Sequence, residues 1–250
     1  MKTIVAIGGG SIINKSTVAI DREIIRLSGK KKPKLLFIGT AMSDAEKYWY
    51  HIQRYFGDSL GCTTDVLFLL KEKLTRSDIA QKILSADIIY VGGGNTLMMM
   101  KVWRRLGLDR LLKQAYEKGI VLSGISAGSI CWFDSGHSDS LSFTNPKRWH
   151  YINVRGLGLI KVIHCPHYNS KTLNIPRKKD FQTMMMKTRK IGIAIDDNCA
   201  LEVVDDTYRI IASKSYANAY RVYKKEGKIV QEKIEKCEEF RPMRELYENV

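Results

Sequence analysis

Short apolar runs alternate with amphipathic stretches from residue 3 to residue 164, and this alternation limits the fold more than any other feature of the sequence. The runs are rich in β-branched residues and end at glycines or turn residues, which is typical of strands buried on both faces. The stretches between them have the length and apolar spacing of helices. Strands and helices in this order predict a mostly parallel, doubly wound α/β sheet with helices on both faces. The predicted strands are residues 3–7, 34–38, 64–69, 87–91, 119–122 and 159–164, and the predicted helices are residues 16–27, 44–56, 76–84, 95–105 and 108–118.

The pattern changes after residue 191, where five short strand candidates are joined by tight turns. Closely spaced strands of this kind predict an antiparallel C-terminal extension of the sheet. No linker rich in proline, glycine or serine divides the chain, so we predict one domain over residues 1–250, with a charged tail from about residue 232 to 250 that is helical or loosely docked. The five candidates are residues 192–196, 200–204, 209–212, 219–223 and 228–231.

The charge balance is strongly basic, with 41 lysines and arginines against 26 aspartates and glutamates and a formal net charge of +15. Such a surface would suit nucleic acid or an acidic substrate. The basic residues are spread along the chain, however, and their densest clusters, residues 30–32 and 177–179, are short. We therefore interpret the charge as a solvated basic surface and expect no nucleic-acid partner.

The cysteines and the apolar runs indicate the cellular setting. The five cysteines are widely spaced and include no CxxC pair, which argues against a disulfide framework and a structural zinc site. No apolar run reaches the roughly 18 residues of a membrane span, and no signal peptide opens the chain. The sequence thus predicts a cytoplasmic protein with no membrane partner.

The sharpest local signal is Gly-Ile-Ser-Ala-Gly at residues 124–128, after an apolar strand and before an apolar segment, residues 130–133, that we expect to start a helix. A serine on a tight strand-to-helix turn between small residues is typical of a nucleophile elbow. The helix start behind Ser126 favours developing negative charge, and the Ala127 amide is placed to donate to an oxyanion. The alternative is a glycine-rich turn with an incidental serine.

A second glycine-rich segment, Gly-Gly-Gly-Asn-Thr at residues 92–96, also follows a predicted strand. Three glycines let the backbone approach another group closely. Their amides could bind phosphate or supply a second oxyanion donor, while Asn95 or Thr96 caps the next helix. A further segment, residues 9–16, nearly spells a phosphate-binding P-loop, but Asn14 stands where the loop needs glycine, so we do not favour nucleotide binding.

A serine nucleophile needs a base, and histidine is the usual one. His167 lies just past the strand predicted at residues 159–164, where loop residues of a parallel sheet face the ligand crevice. His164 lies inside that strand and is expected to pack in the core. The two histidines have no third ligand nearby in sequence, so we expect no metal. Asp134 and Asp139 both follow the elbow and are open candidates for the group that orients the histidine.

Three motifs in this order, GGGNT at residues 92–96, G-x-SAG at 124–128 and Pro-His-Tyr at 166–168, resemble the peptidase E family of serine peptidases, which includes the cyanophycinases. The resemblance implies a flavodoxin-like sheet similar to that of class I glutamine amidotransferases, and no cofactor. It also implies Ser126 as nucleophile and His167 as base. The amides of Gly94 and Ala127 would form the oxyanion hole, and Asp139 is the better match to the family's third catalytic residue.

Dipeptidases of that family prefer an N-terminal aspartate, which an arginine downstream of the histidine recognises. Arg177 stands in that region, and with Asn95 it is expected to contact the substrate. The alternative is that residues 177–179 form the solvated start of a helix. We therefore predict a serine peptidase, monomeric or homodimeric, that acts on small peptides, including dipeptides with N-terminal aspartate. The alternative function is a non-catalytic member of the same fold that binds anions or nucleic acid.

Overall fold

The computed structural model describes residues 1–247, in which two main sheets and a short hairpin are packed with eight helices. The strands are β1 (Thr3–Ile7), β2 (Lys34–Ile38), β3 (Thr63–Leu67), β4 (Ile88–Val91), β5 (Val121–Ile125), β6 (Phe133–Ser138), β7 (Ile152–Arg155), β8 (Ile160–Cys165), β9 (Lys171–Thr172), β10 (Ile175–Pro176), β11 (Gly192–Ile195), β12 (Cys199–Val204), β13 (Thr207–Ala212), β14 (Ala219–Lys225), β15 (Lys228–Ile234) and β16 (Arg241–Pro242). The helices are α1 (Val18–Leu27), α2 (Glu46–Ile52), α3 (Arg76–Leu84), α4 (Thr96–Leu106), α5 (Leu108–Glu117), α6 (Ala127–Ile130), α7 (Arg177–Met186) and α8 (Arg244–Tyr247). A π-helix, Gln53–Ser59, continues α2, and short 3-10 turns occur at Thr40–Met42 and Ser140–Phe143.

The larger sheet has the order β16-β13-β12-β1-β5-β4-β2-β3. Strands β1, β5, β4, β2 and β3 pair in parallel, and β12 adds an antiparallel extension beside β1. Every residue of β1, β4 and β5 is buried, as expected for β-branched runs covered on both faces. The predicted α/β class, a mostly parallel sheet with antiparallel strands from the C-terminal part of the chain, is confirmed.

A second sheet has the order β15-β14-β11-β8-β6-β7. It contains β8, which the sequence predicts as a strand of the parallel sheet. It also contains β6 and β7, which were not predicted. We expected a helix through residues 130–133, but α6 ends at Ile130 because the carbonyls of Cys131, Trp132 and Phe133 accept hydrogen bonds from the amides of residues 157–160. The chain then enters β6, whose small and polar residues hide the strand pattern.

The largest apolar cluster includes buried residues of both sheets, such as Ile4 of β1, Leu122 of β5 and Ile193 of β11. A core shared by both sheets is consistent with one domain over residues 1–250, which stays a prediction. The tail, expected to be helical or loosely docked, contains the helix α8, and its Leu246 is buried. Before that helix, β15 extends to Ile234 and β16 pairs with β13, while residues 248–250 lie outside the described part. Between Met1 and Tyr247 no helix has both the length and the apolar character needed to cross a membrane.

The parallel pairing brings several loops to one edge of the larger sheet. Ile7 at the end of β1 is opposite Ile125 at the end of β5, and Val91 of β4 is opposite Gly124. The segments that follow these strands therefore meet at the carboxyl edge, which is the usual ligand-binding edge of a parallel sheet.

Candidate active site

Ser126 lies at the turn between β5 and α6, with a left-handed φ of 58° and a ψ of −114°. Non-glycine residues rarely adopt this conformation, which costs free energy and is concentrated at functional sites. The turn is possible because its flanks are glycines: a Cβ on Gly124 would overlap the Gly128 carbonyl, and a Cβ on Gly128 would overlap the carbonyl of Val91. The segment thus has the backbone of a nucleophile elbow.

Ser126 Oγ lies 2.8 Å from His167 Nε2, and His167 Nδ1 lies 2.5 Å from Asp197 Oδ1. The His167 amide donates to the carbonyl of Gly8 at 3.0 Å, which ties the histidine loop to the end of β1. A hydroxyl, an imidazole and a carboxylate in this order form the arrangement of a serine hydrolase triad.

The carboxylate that contacts His167 belongs to neither Asp134 nor Asp139, the two candidates from the sequence. Asp139 Oδ2 accepts from Arg177 Nη2 at 2.5 Å and from Thr172 Oγ1 at 3.0 Å, whereas Asp134 pairs with Lys190. The expectation that Asp139 orients His167 is thus corrected: its carboxylate is engaged by Arg177 and Thr172.

Asp197 reaches His167 because their strands are parallel neighbours. Ala194 of β11 is opposite Cys165 of β8. His167 and Asp197 each lie two positions past the end of their own strand. The sequence does carry a signal for Asp197, since it is an acid just past a buried strand. The sequence does not show, however, that this strand is the neighbour of β8.

The environment of Asp197 favours its charged form. Burial would raise the pKa of this carboxyl, but the hydrogen bond and charge of His167, together with the hydroxyl of Ser170 at 2.7 Å, outweigh burial and lower it. An ionised Asp197 only accepts hydrogen bonds, so Nδ1 of His167 carries the proton. Nε2 is then left to accept from the Ser126 hydroxyl, as a general base must.

Gly9 forms the backing of the His167–Asp197 pair. A Cβ at this position would overlap both His167 Nδ1 and Asp197 Oδ1. Gly9 also forms a β-bridge with Asp197, and the Asn198 amide donates to the Gly9 carbonyl at 2.8 Å. The glycine-rich segment that resembles a P-loop in sequence therefore packs against the histidine and the carboxylate.

The GGGNT segment packs on the other side of the nucleophile. Gly94 has φ +129° and a Cβ there would overlap the Ala41 carbonyl, while a Cβ on Gly93 would lie 3.3 Å from Ser126 Cβ. In the described residues, the amides of Gly94 and Ala127 have no hydrogen-bond acceptor. Two free amides beside the serine hydroxyl are suited to hold an oxyanion.

A cavity of about 350 Å³ opens beside these groups. Ser126, His167 and Gly94 line it together with Arg177, the first residue of α7. Asn95, which was expected to contact substrate, instead caps α4 by accepting from the Met98 amide at 3.0 Å, and it does not line this cavity.

His164 lies inside the core, where its Nε2 is 2.8 Å from Ser129 Oγ and its Nδ1 is 2.9 Å from the carbonyl of Ile193. Complete burial lowers the pKa of His164 to about 3, so the ring is neutral at ordinary pH. Within residues 1–247, histidine, cysteine and acidic side chains nowhere gather in threes as metal ligands would.

Comparison with known proteins gives consistent matches over most of the chain. The sequence profile of peptidase family S51 matches residues 4–211. Uncharacterized peptidase YgaJ of Bacillus subtilis (strain 168) is 34% identical over 235 residues, which cover 92% of this chain and 96% of that protein.

Two solved structures share the fold. A peptidase from an acI-B1 Actinobacterium has a TM-score of 0.72 at 21% identity, covering 97% of each chain. A candidate peptidase E protein from Listeria monocytogenes EGD-e has a TM-score of 0.64 at 22% identity, covering 85% of this chain and 98% of that one.

Proposed function

The chain belongs to peptidase family S51 and is a peptidase, and from this premise we propose that it hydrolyses small peptides by serine catalysis. The observation that carries the proposal is the hydrogen-bonded series from Ser126 Oγ through His167 to Asp197 at the elbow. Ser126 is the nucleophile, His167 the general base and Asp197 the group that fixes the histidine tautomer.

In the first half of the reaction, Ser126 Oγ attacks the carbonyl carbon of the scissile bond while His167 Nε2 takes the hydroxyl proton. The carbonyl π electrons move to oxygen, and the resulting oxyanion accepts hydrogen bonds from the amides of Gly94 and Ala127. Asp197 stabilises the imidazolium that forms. When the tetrahedral intermediate collapses, the C–N bond breaks, the amine leaves with the proton from His167, and an acyl-enzyme remains.

In the second half, a water molecule attacks the acyl carbon and His167 Nε2 accepts its proton. The same two amides hold the second oxyanion. The ester bond to Ser126 Oγ then breaks, and Oγ regains its proton from His167. Every proton leaves or returns through one imidazole, so the sequence of steps calls for no cofactor.

The size of the cavity supports small substrates. About 350 Å³ is near the lower end of the range of ligand pockets, roughly 300–1,000 Å³, and suits a short peptide. The resemblance to peptidase E implies a preference for N-terminal aspartate with Arg177 as the receiving cation. Nη2 of Arg177 is already paired with Asp139, which argues against that role, and a comparison of kcat/KM for Asp-Leu with that for Ala-Leu tests the preference itself. A cytoplasmic location remains part of this proposal.

The proposal is tested with a fluorophosphonate probe, which labels an activated serine. We expect labelling of the wild type at Ser126 and turnover of a panel of dipeptides, both lost in Ser126→Ala. His167→Ala should also lose both, and the exposed Ser59→Ala serves as the matched control that keeps them. An unlabelled wild type with no turnover would instead favour a non-catalytic binding protein of the same fold.

A further inference from the structure

The ion pair between Asp139 and Arg177 forms part of the wall of the catalytic cavity, yet the steps of peptide hydrolysis do not use it. Both residues line the same cavity as Ser126 and His167. The Asp139 side chain is 18% exposed, and it is the only acidic side chain among the described residues lining this cavity. A carboxylate beside a peptidase nucleophile is a candidate for contact with the substrate.

The hydrogen bonds of Asp139 leave one of its oxygens available. Oδ2 accepts from both Arg177 Nη2 and Thr172 Oγ1. Oδ1 has no donor within residues 1–247, although the side chain is partly exposed to the cavity. The carboxylate is therefore held by its Oδ2, while Oδ1 can accept a hydrogen bond from a ligand.

The position of Arg177 indicates that it supports Asp139 and does not itself receive a charged substrate group. Its side chain is only 3% exposed, and the guanidinium also donates to the carbonyl of His137 at 3.4 Å and lies over the ring of Tyr151 at 5.0 Å. A guanidinium so enclosed and already paired has little surface left for a second carboxylate.

We propose that Asp139 Oδ1 receives an ammonium group of the substrate, with Arg177 as its positioning residue, so that the enzyme selects peptides with a positively charged group near the scissile bond. This inference rests on the proposed serine peptidase function. The α-ammonium group of an unblocked peptide is one source, and it lies one Cα from the first peptide bond. In a small cavity, a carboxylate that holds it would direct Ser126 to that bond, which makes the enzyme an exopeptidase. The side-chain ammonium of lysine is the other source.

The wild-type enzyme tests the proposal with three substrates: Ala-Leu, N-acetyl-Ala-Leu and N-acetyl-Lys-Leu. We expect kcat/KM for Ala-Leu to exceed that for N-acetyl-Ala-Leu about 100-fold, as the loss of one partner of a partly buried charge pair implies. Efficient cleavage of N-acetyl-Lys-Leu would identify the side chain as the source of the ammonium group. Equal kcat/KM for all three substrates would overturn the proposal.

Asp139→Asn separates charge from hydrogen bonding, because the amide oxygen still accepts from Thr172 and Arg177. The ratio of kcat/KM between the ammonium-bearing and the blocked dipeptide should fall from about 100-fold to less than about 10-fold. The matched control is Asp134→Asn, which removes a carboxylate that pairs with Lys190 and does not line this cavity, and which should leave the ratio unchanged. A wild-type ratio in Asp139→Asn would contradict the role of Asp139.

Asp139→Asn leaves Arg177 without its carboxylate, which is a destabilising change in a buried site. The double variant Asp139→Asn/Arg177→Met removes both charges and should show the same reduced ratio, with circular dichroism to verify folding. The two proposals fail differently. If serine catalysis is wrong, the probe does not label Ser126; if only the ammonium site is wrong, Ser126 is labelled but blocked and unblocked dipeptides are cleaved equally.

Discussion

His167 Nδ1 lies 2.5 Å from Asp197 Oδ1 although the two residues are 30 positions apart in the chain. The contact follows from the pairing of β8 with β11, since each strand delivers one of these residues two positions past its end. His167 and its carboxylate partner thus follow strands of the second sheet, while Ser126 follows a strand of the larger one. The proposed active site forms where the carboxyl edges of the two sheets meet.

Asp197→Asn should reduce kcat by about 10³- to 10⁴-fold with little change in KM, because the amide can donate to Nδ1 and so favour the wrong histidine tautomer. Steady-state kinetics on the best dipeptide of the panel measure this. Asp134→Asn is the matched control, since Asp134 pairs with Lys190 away from His167 and its loss should leave kcat within about twofold. A similar loss in both variants would remove Asp197 from the triad.

The pH profile should show a single ionisation on its acid side. The pKa of Asp197 is lowered, so its carboxyl group is fully ionised at every pH above the usual titration range of an aspartate. It takes up a proton only below that range. His167 must be neutral to act as the general base, and the ionised Asp197 adds no second protonation step above its own lowered pKa. A plot of log kcat/KM against pH for a blocked substrate should rise with a limiting slope of 1, and a slope of 2 would show that Asp197 titrates in the same range.

Gly9→Ala should lower activity although residue 9 makes no contact with a reacting atom in the proposed mechanism. Its Cβ would overlap His167 Nδ1 and Asp197 Oδ1, so the pair must move apart. We expect kcat to fall at least about 100-fold, since displacements of about 1 Å have effects of that size. Gly57→Ala is the matched control, because its Cβ would meet nothing closer than 3.5 Å. Unchanged kinetics in Gly9→Ala would show that the loop adapts without disturbing His167.

The sequence predicted the elements whose burial and spacing are regular. β1 and β2 have the predicted bounds, because their apolar runs are covered on both sides. β6 was missed because Asp134, Ser135 and Gly136 are weak strand formers, and only pairing with β7 and β8 makes them extended. Tertiary context overrides local preference there.

The same distinction applies to the candidate site. Ser126 and His167 were found because each stands in a local motif at the end of a strand, and the structure places them 2.8 Å apart. Asp197 required knowledge of which strands are neighbours. The engagement of Asp139 with Arg177 depends on where α7, which starts at residue 177, packs, and the sequence offers a helix start there only as an alternative. Contacts between distant elements are set by sheet order, which a single sequence does not display.

The stability of the fold should decrease as the pH rises towards neutrality because of one buried acid. Asp21 of α1 is completely buried, and its Oδ2 accepts from the hydroxyls of Thr17 and Tyr55, each at 2.8 Å. Its Oδ1 has no partner among residues 1–247. Burial raises the pKa of Asp21 to about 7, and the two hydroxyl donors oppose this rise only in part.

A carboxyl with a raised pKa binds more protons in the folded than in the unfolded state, so its contribution is complete below about pH 4 and is lost as the pH rises to 7. For a pKa of about 7, linkage gives a loss of about 2 to 3 kcal/mol in the free energy of unfolding between pH 5 and pH 8. Asp21→Asn does not titrate and keeps an oxygen for Thr17 and Tyr55. We therefore expect the free energy of unfolding of the variant, measured by urea denaturation, to rise relative to that of the wild type by this amount between pH 5 and pH 8. The exposed Asp58→Asn is the control, whose curve should run parallel to the wild type. A constant difference between Asp21→Asn and wild type from pH 5 to pH 8 would show that Asp21 does not titrate there.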